Sequence, residues 1–162
     1  GGGGGGGGGW EGDCVFFFSR GPTCVRAVAV DPGKTTGTAW CDFVTQERGA
    51  TQHTDITALV SWLTEIRPDL VIMETFRPRR DKALALCGQD IYASEIIGVV
   101  KMRCLEQNTP IVMQIPATKD TVRQALLTMC GLWNVTKGLP HARDAAKHLV
   151  VYALKNKLKI IL

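Results

Sequence analysis

The run from Val25 to Trp40 constrains the fold more than any other stretch of the chain. Apolar and β-branched residues, Ala27-Val28-Ala29-Val30, end on one carboxylate, Asp31. Pro32-Gly33 then supplies a turn, because proline holds φ and glycine tolerates positive φ. A second apolar run follows from Thr36 to Phe43, so the stretch reads as two antiparallel strands with Asp31 at the end of the first. A carboxylate at the tip of a buried strand needs a cation or hydrogen-bond donors. Asp-Pro also starts ordinary turns, so Asp31 alone does not decide between these readings. Gly33-Lys34-Thr35 mimics the end of a phosphate-binding P-loop, but Val28 stands where that motif needs its first glycine, and a strand follows where it needs a helix. The P-loop is rejected.

Continuing along the chain, Glu47 to Ala50 reads as a turn into a third strand near Thr51 to Thr54. Ile56, Leu59, Val60, Leu63 and Ile66 recur on one helix face, with Thr54 or Asp55 as N-cap and Pro68 as the stop. Leu70-Val71-Ile72-Met73 has the uninterrupted apolar pattern of a strand covered on both faces. It ends in Glu74, so a second strand delivers a carboxylate at its C-terminal end. Parallel neighbours would bring Asp31 and Glu74 to one sheet edge, where open α/β sheets bind ligands.

Arg77-Pro78-Arg79-Arg80 is a dense basic segment, either solvated surface or a phosphate clamp. A long helix is predicted from about Asp81 to Gln107, with Leu84, Cys87, Ile91, Ser94 or Glu95, Gly98 and Met102 on one stripe. Its small residues permit close approach of the core or of a second copy. Ile111 to Ile115 reads as a strand and Thr118 to Met129 as one helix, with Val122, Ala125, Leu126 and Met129 inward and Lys119 and Arg123 outward. Gly131 to Leu139 reads as a loop. Pro140 opens a last helix on which His141, Asp144 and His148 share a face, while Ala145, Leu149, Val150 and Ala153 face the sheet. Asp144 near the helix start is favoured by the helix dipole.

The 162 residues match one domain with a substantial core. Gly1 to Gly9 cannot pack, so residues 1–23 are expected to form a flexible or unassigned leader and residues 24–162 the domain. Cys14-Val15-Phe16-Phe17-Phe18 is too short to span a membrane and lacks a signal-peptide layout, so an intracellular, cytoplasmic protein is expected. Six scattered cysteines without a C-x-x-C pair point to buried reduced thiols rather than zinc. The net charge of +4 hides an asymmetry: from residue 77 onward 14 Lys and Arg face 6 Asp and Glu, or +8, whereas residues 1–76 carry −4. A basic half points to a polyanionic partner.

Four segments together resemble the ribonuclease H-like nucleases, and more closely the RuvC group of Holliday-junction resolvases, particularly its small phage-type members. They are Val30-Asp31-Pro32-Gly33 with Thr36-Gly37, Ile72-Met73-Glu74-Thr75-Phe76, Ile115-Pro116-Ala117-Thr118-Lys119, and His141-Ala142-Arg143-Asp144-Ala145. In order and spacing they span roughly residues 25 to 155. The hairpin alone also occurs in actin-like ATPases, but those need a duplicated domain and a second phosphate loop.

The resemblance implies a five-stranded mixed sheet with helices on both faces. It implies that Asp31, Glu74, Asp144 and His141 are catalytic and hold two Mg²⁺ ions, replaceable by Mn²⁺, in a two-metal phosphodiester hydrolysis. Asp31 would bridge the ions, Glu74 would hold one, and Asp144 the other with His141 beside it. His141 stands where many members have Asp and others His, which leaves open whether it binds metal or positions water. Lys119 matches a lysine that faces DNA or the reacting phosphate, and joins Arg77, Arg79, Arg80 and Lys137 in the expected DNA-binding set. The expected partner is branched DNA, a four-way junction, cut by a homodimer, with the long small-residue helix as its interface. A broader flap or branched-DNA endonuclease and a non-catalytic junction-binding module remain the alternatives.

Overall fold

In the computed structural model, the structure describes residues 26–76 and 89–160, the side chains of residues 89–91 excepted. The leader, Arg77, Arg79 and Arg80, and the first part of the long helix with Leu84 and Cys87 lie outside the described residues.

Five strands form one sheet: β1 (Arg26–Asp31), β2 (Thr36–Asp42), β3 (Arg48–His53), β4 (Leu70–Glu74) and β5 (Ile111–Gln114), in the order β3-β2-β1-β4-β5. β1 pairs antiparallel with β2, which pairs antiparallel with β3. β4 runs parallel to β1, and β5 parallel to β4. The two central strands therefore end side by side, and Asp31 and Glu74 reach the same edge.

Strand alternation sorts the core into two layers. Ala27, Ala29, Leu70 and Ile72 face one side and pack with Leu127, Leu132 and the last helix. Val28, Val30, Val71 and Met73 face the other, under Leu59, Leu63, Ile96, Val100 and Cys104. That second layer comes from α1 (Ile56–Ile66) and α2 (Gln89–Gln107). Asp55 caps α1 by accepting from the Ala58 N–H at 3.0 Å, and the left-handed Arg67 ends it just before Pro68.

The opposite face carries a 3₁₀ turn (Pro116–Thr121), then α3 (Gln124–Met129), α4 (Leu132–Val135) and α5 (Pro140–Lys155). Ala142, Ala145, Ala146, Leu149, Val150 and Ala153 of α5 are buried against the sheet. The four alanines let the helix lie close.

Four local expectations need correction. The third strand begins at Arg48, because the turn falls earlier: the Asp42 carboxylate accepts from the Val44 and Thr45 N–H groups and closes the chain there. The helix expected from Thr118 to Met129 is two pieces, since Val122 is extended and buries its side chain between them. Leu127 then faces the core, while Met129 is exposed. Part of the expected loop from Gly131 to Leu139 is α4, which Thr136 closes by donating to the Leu132 carbonyl at 2.8 Å. Finally, α2 buries Ala93, Ile96, Val100 and Cys104, whereas Ser94, Glu95, Gly98 and Met102 of the expected stripe are exposed. Both stripes have helical spacing, and the one with more branched apolar surface faces the sheet.

Cys41, Cys104 and Cys130 are free and buried. Burial pushes the Cys41 thiol up to about 11 and the Cys104 thiol up to about 12, so both are neutral thiols at physiological pH. Among the described residues no helix is long and apolar enough to cross a membrane.

Candidate functional site

Asp31 leaves the end of β1, Glu74 the end of β4, and Asp144 the second turn of α5, and all three meet around one ammonium. Lys119 Nζ lies 2.9 Å from Glu74 Oε2, 3.1 Å from Asp144 Oδ2 and 3.6 Å from Asp31 Oδ1. The sequence places Lys119 outward on a helix. The 3₁₀ turn after β5 has a different pitch from an α-helix and swings it over the sheet edge instead.

The charges respond to this arrangement in different ways. Burial raises the Asp31 pKa; the Lys119 cation opposes it, while the charges of Glu74 and Asp144 add to it. Burial also works to raise Glu74, but hydrogen bonds from His148 and Lys119 outweigh it, and Glu74 is held below the usual carboxylate range. For Asp144, hydrogen bonds from Lys147 and Lys119 likewise overcome burial. Burial disfavours the Lys119 cation, yet the surrounding carboxylates raise its pKa well above the ordinary lysine value.

Asp144 is the fifth residue of α5, past the first turn where the dipole acts, so its charge is met by Lys147 (2.9 Å) and Lys119 rather than by the helix end. His141, its side chain 48% exposed, turns its Nδ1 to Asp31 Oδ2 at 3.3 Å. Its ring partner is thus on β1 and not on its own helix.

Three residues support the site: Gln52 and Gln114, which were not singled out from sequence, and Gly37, which entered there only as part of the hairpin motif. Leu139 precedes α5 and gives no side-chain cap, so Gln52 of β3 accepts from the His141 N–H at 3.0 Å. Gly37 of β2 lies directly beneath the backbone at His141 and Ala142. Gln114, paired with Glu74 across β4 and β5, meets His148. No local signal marks Gln52 or Gln114, because each acts through a residue far away in sequence.

Lys137 is exposed in the turn before α5. Gly33-Lys34-Thr35 sits in a turn between two strands, as the rejection of a P-loop requires. Among the described residues no three His, Cys, Asp or Glu side chains form a ready metal cage. The common point of the carboxylates is taken by the Lys119 ammonium, a cation in its own right. The donor set around it is oxygen only, which suits Mg²⁺.

No protein-family model matches the sequence, and no curated protein matches it. Among solved structures, the chain is similar to Thermus thermophilus RuvC in complex with a Holliday-junction substrate, at 15% identity and a TM-score of 0.61, over 82% of this chain and 95% of that one. It is also similar to another Thermus thermophilus RuvC structure, at 15% identity and a TM-score of 0.56, over 85% of this chain and 99% of that one. These likenesses show the fold: the five-stranded mixed sheet with its helices is the ribonuclease H-like α/β architecture of RuvC.

Proposed function

We propose that this chain is a Mg²⁺-dependent endonuclease acting on branched DNA, with the four-way junction as its main substrate. The observation that carries the reading is the meeting of Asp31, Glu74 and Asp144 around a single cation position. Three carboxylates from two strand ends and the second turn of a helix share one ammonium, which holds Glu74 and Asp144 but leaves Asp31 at a cost. Their mutual repulsion and burial are costs, visible in the raised pKa of Asp31.

When bound, a pair of Mg²⁺ ions supplies charge stabilisation to the attacking and leaving oxygens of an in-line phosphodiester hydrolysis. Asp31, Glu74 and Asp144 are the residues that would hold the ions, with Asp31 coming from the central strand β1. His141 is exposed enough to hold a water or a ligand position. Lys119 would stand beside that site, where its ammonium could meet a phosphate. Arg77, Arg79 and Arg80 follow Glu74 closely in sequence, and with Lys137 they are assigned to the DNA backbone. The RuvC structure with its Holliday-junction substrate supports the substrate class through the shared fold.

A symmetric junction needs two cuts, which a two-fold dimer provides. The outward face of α2 supports that reading: Tyr92, Met102 and Leu105 are exposed, and space around Gly98 is open.

The test is cleavage of synthetic four-way junctions, flaps and linear duplexes, each with Mg²⁺ and with chelator, beside Asp31→Asn. Mg²⁺-dependent cutting of junctions, abolished by Asp31→Asn while binding persists, is expected. Flaps cut as well as junctions would move the protein to a broader branched-DNA nuclease. Binding without cutting in Mg²⁺ would leave a junction-binding module.

A further inference from the structure

His148 lies on α5, one turn beyond Asp144, and is fully buried at 0% exposure. Its Nε2 is 2.8 Å from Glu74 Oε2 and its Nδ1 is 2.7 Å from Gln114 Oε1. Gln114 is itself buried at the end of β5 and stands opposite Glu74 in the β4–β5 register. Its backbone carbonyl accepts from the Thr75 N–H at 2.7 Å, which ties the two strand ends together. Three elements thus form a buried polar chain, Gln114 to His148 to Glu74, beneath the carboxylate cluster.

A core position at this depth ordinarily takes an apolar side chain, as Leu149 and Ala145 beside it do. An imidazole there must satisfy both nitrogens, and an unmet one costs ~1–3 kcal/mol. Ionised Glu74 only accepts, so Nε2 is the donor whichever way the Gln114 amide meets Nδ1. Glu74 Oε2 therefore receives two donors, His148 Nε2 and Lys119 Nζ. Oε2 is thus the atom that both meets His148 in the core and faces the point Lys119 occupies among the carboxylates.

We infer that His148 is a positioning residue, held by Gln114, which fixes the Glu74 carboxylate so that its Oε2 faces the shared cation position. The inference rests on the cation reading above and adds the device that orients one of its ligands. Groups that orient a ligand from behind in this way typically change metal affinity by ~10–100-fold when removed.

The experiment measures Mn²⁺ affinity through loss of the free-ion electron paramagnetic resonance signal, together with Tm in chelator, for the full chain and four variants. His148→Leu keeps the volume and removes the donor, and about 10–100-fold weaker Mn²⁺ binding is expected. His148→Gln can still donate to Glu74 and should recover most of the affinity. Gln114→Leu, which frees the imidazole to turn, should fall between them. A merely structural histidine would lower Tm in His148→Leu without changing the affinity of the folded protein, and that result overturns the inference. If His148→Leu does not fold, wild-type affinity in Gln114→Leu overturns it equally. Asp31→Asn separates the two levels: wild type that binds Mn²⁺ no better than Asp31→Asn overturns the cation reading and the inference with it.

Discussion

Gly37 of β2 lies so close under α5 that a methyl group built on it would stand 2.0 Å from the His141 carbonyl carbon. The contact is backbone to backbone, so no side chain can swing away to relieve it. It sets the height of the α5 start over the sheet, and with it the positions of His141 and Asp144.

Gly37→Ala is therefore expected to lift the start of α5. Overpacking of this kind costs ~1–3 kcal/mol, or roughly 2–4 °C in Tm per kcal/mol for a domain of this size. Cleavage should fall much further than stability, because His141 and Asp144 move relative to Asp31. Thermal melts and single-turnover cleavage on the same preparation check this; wild-type cleavage would show that the start of α5 need not be held so closely.

Lys119→Met removes the cation from among three carboxylates. Breaking a fully buried pair costs ~3–5 kcal/mol, and Lys119 keeps some exposure, so roughly 1–3 kcal/mol is expected. The loss should show as a lower Tm in chelator. Added Mn²⁺ should raise the Tm of this variant by more than that of wild type, because the ion no longer competes with an ammonium. Equal gains in both proteins would mean that Lys119 and the ion do not share a place.

The three carboxylates should differ in the sign of their effect on stability. Asp31 has a raised pKa in the fold, so its ionised form is a cost at neutral pH that disappears as pH falls below the unfolded value of ~3.9. Glu74 and Asp144 have lowered pKa values. Their stabilisation is present above the unfolded values of ~4.3 and ~3.9 and is lost as pH falls through the folded ones. In chelator at pH 7, Asp31→Asn should raise Tm while Glu74→Gln and Asp144→Asn lower it, and all three differences should shrink near pH 3. A fall for Asp31→Asn matching that of Asp144→Asn would contradict the assignment.

His141→Asp should retain cleavage, since a carboxylate there would add a fourth oxygen ligand beside Asp31, Glu74 and Asp144. His141→Ala should lose most of it. Mn²⁺, which accepts imidazole more readily than Mg²⁺, should favour the wild type over His141→Asp. Junction cleavage by His141→Ala at the wild-type rate would leave His141 as a helix-start residue whose ring only accompanies Asp31.

Met102, 59% exposed on the outer face of α2, gives the check on self-association. Met102→Lys should convert a dimer to a monomer in sedimentation velocity, with Tm of the monomer changed by no more than ~0.5 kcal/mol equivalent, as for other surface substitutions. A monomeric wild type at micromolar concentration would remove α2 as a self-association surface.

Local sequence determined much of this protein. Apolar runs ending in Asp31 and Glu74, turn residues between them, and a helix opened by Pro140 were enough to place most strands and the last helix, while the mixed five-stranded sheet was implied by the resemblance those segments carry. Those features are legible because strand alternation, helix period and turn chemistry act between residues close in sequence. Tertiary structure decided the rest. Two stripes of α2 have helical spacing, and burial against the sheet went to the one with more branched apolar surface, Ala93, Ile96, Val100 and Cys104. Lys119 turned inward because Val122 is buried and breaks the expected helix into a 3₁₀ turn and α3. His148 shares a helix stripe with His141 and Asp144 in sequence, yet only the approach of β4 and β5 under α5 gave it Glu74 and Gln114 as partners. Gln52, 89 residues from the His141 N–H it receives, carries no local mark at all. Hydrogen bonds and ion pairs of this kind depend on angstrom-scale placement of distant elements, which periodicity along a chain does not encode.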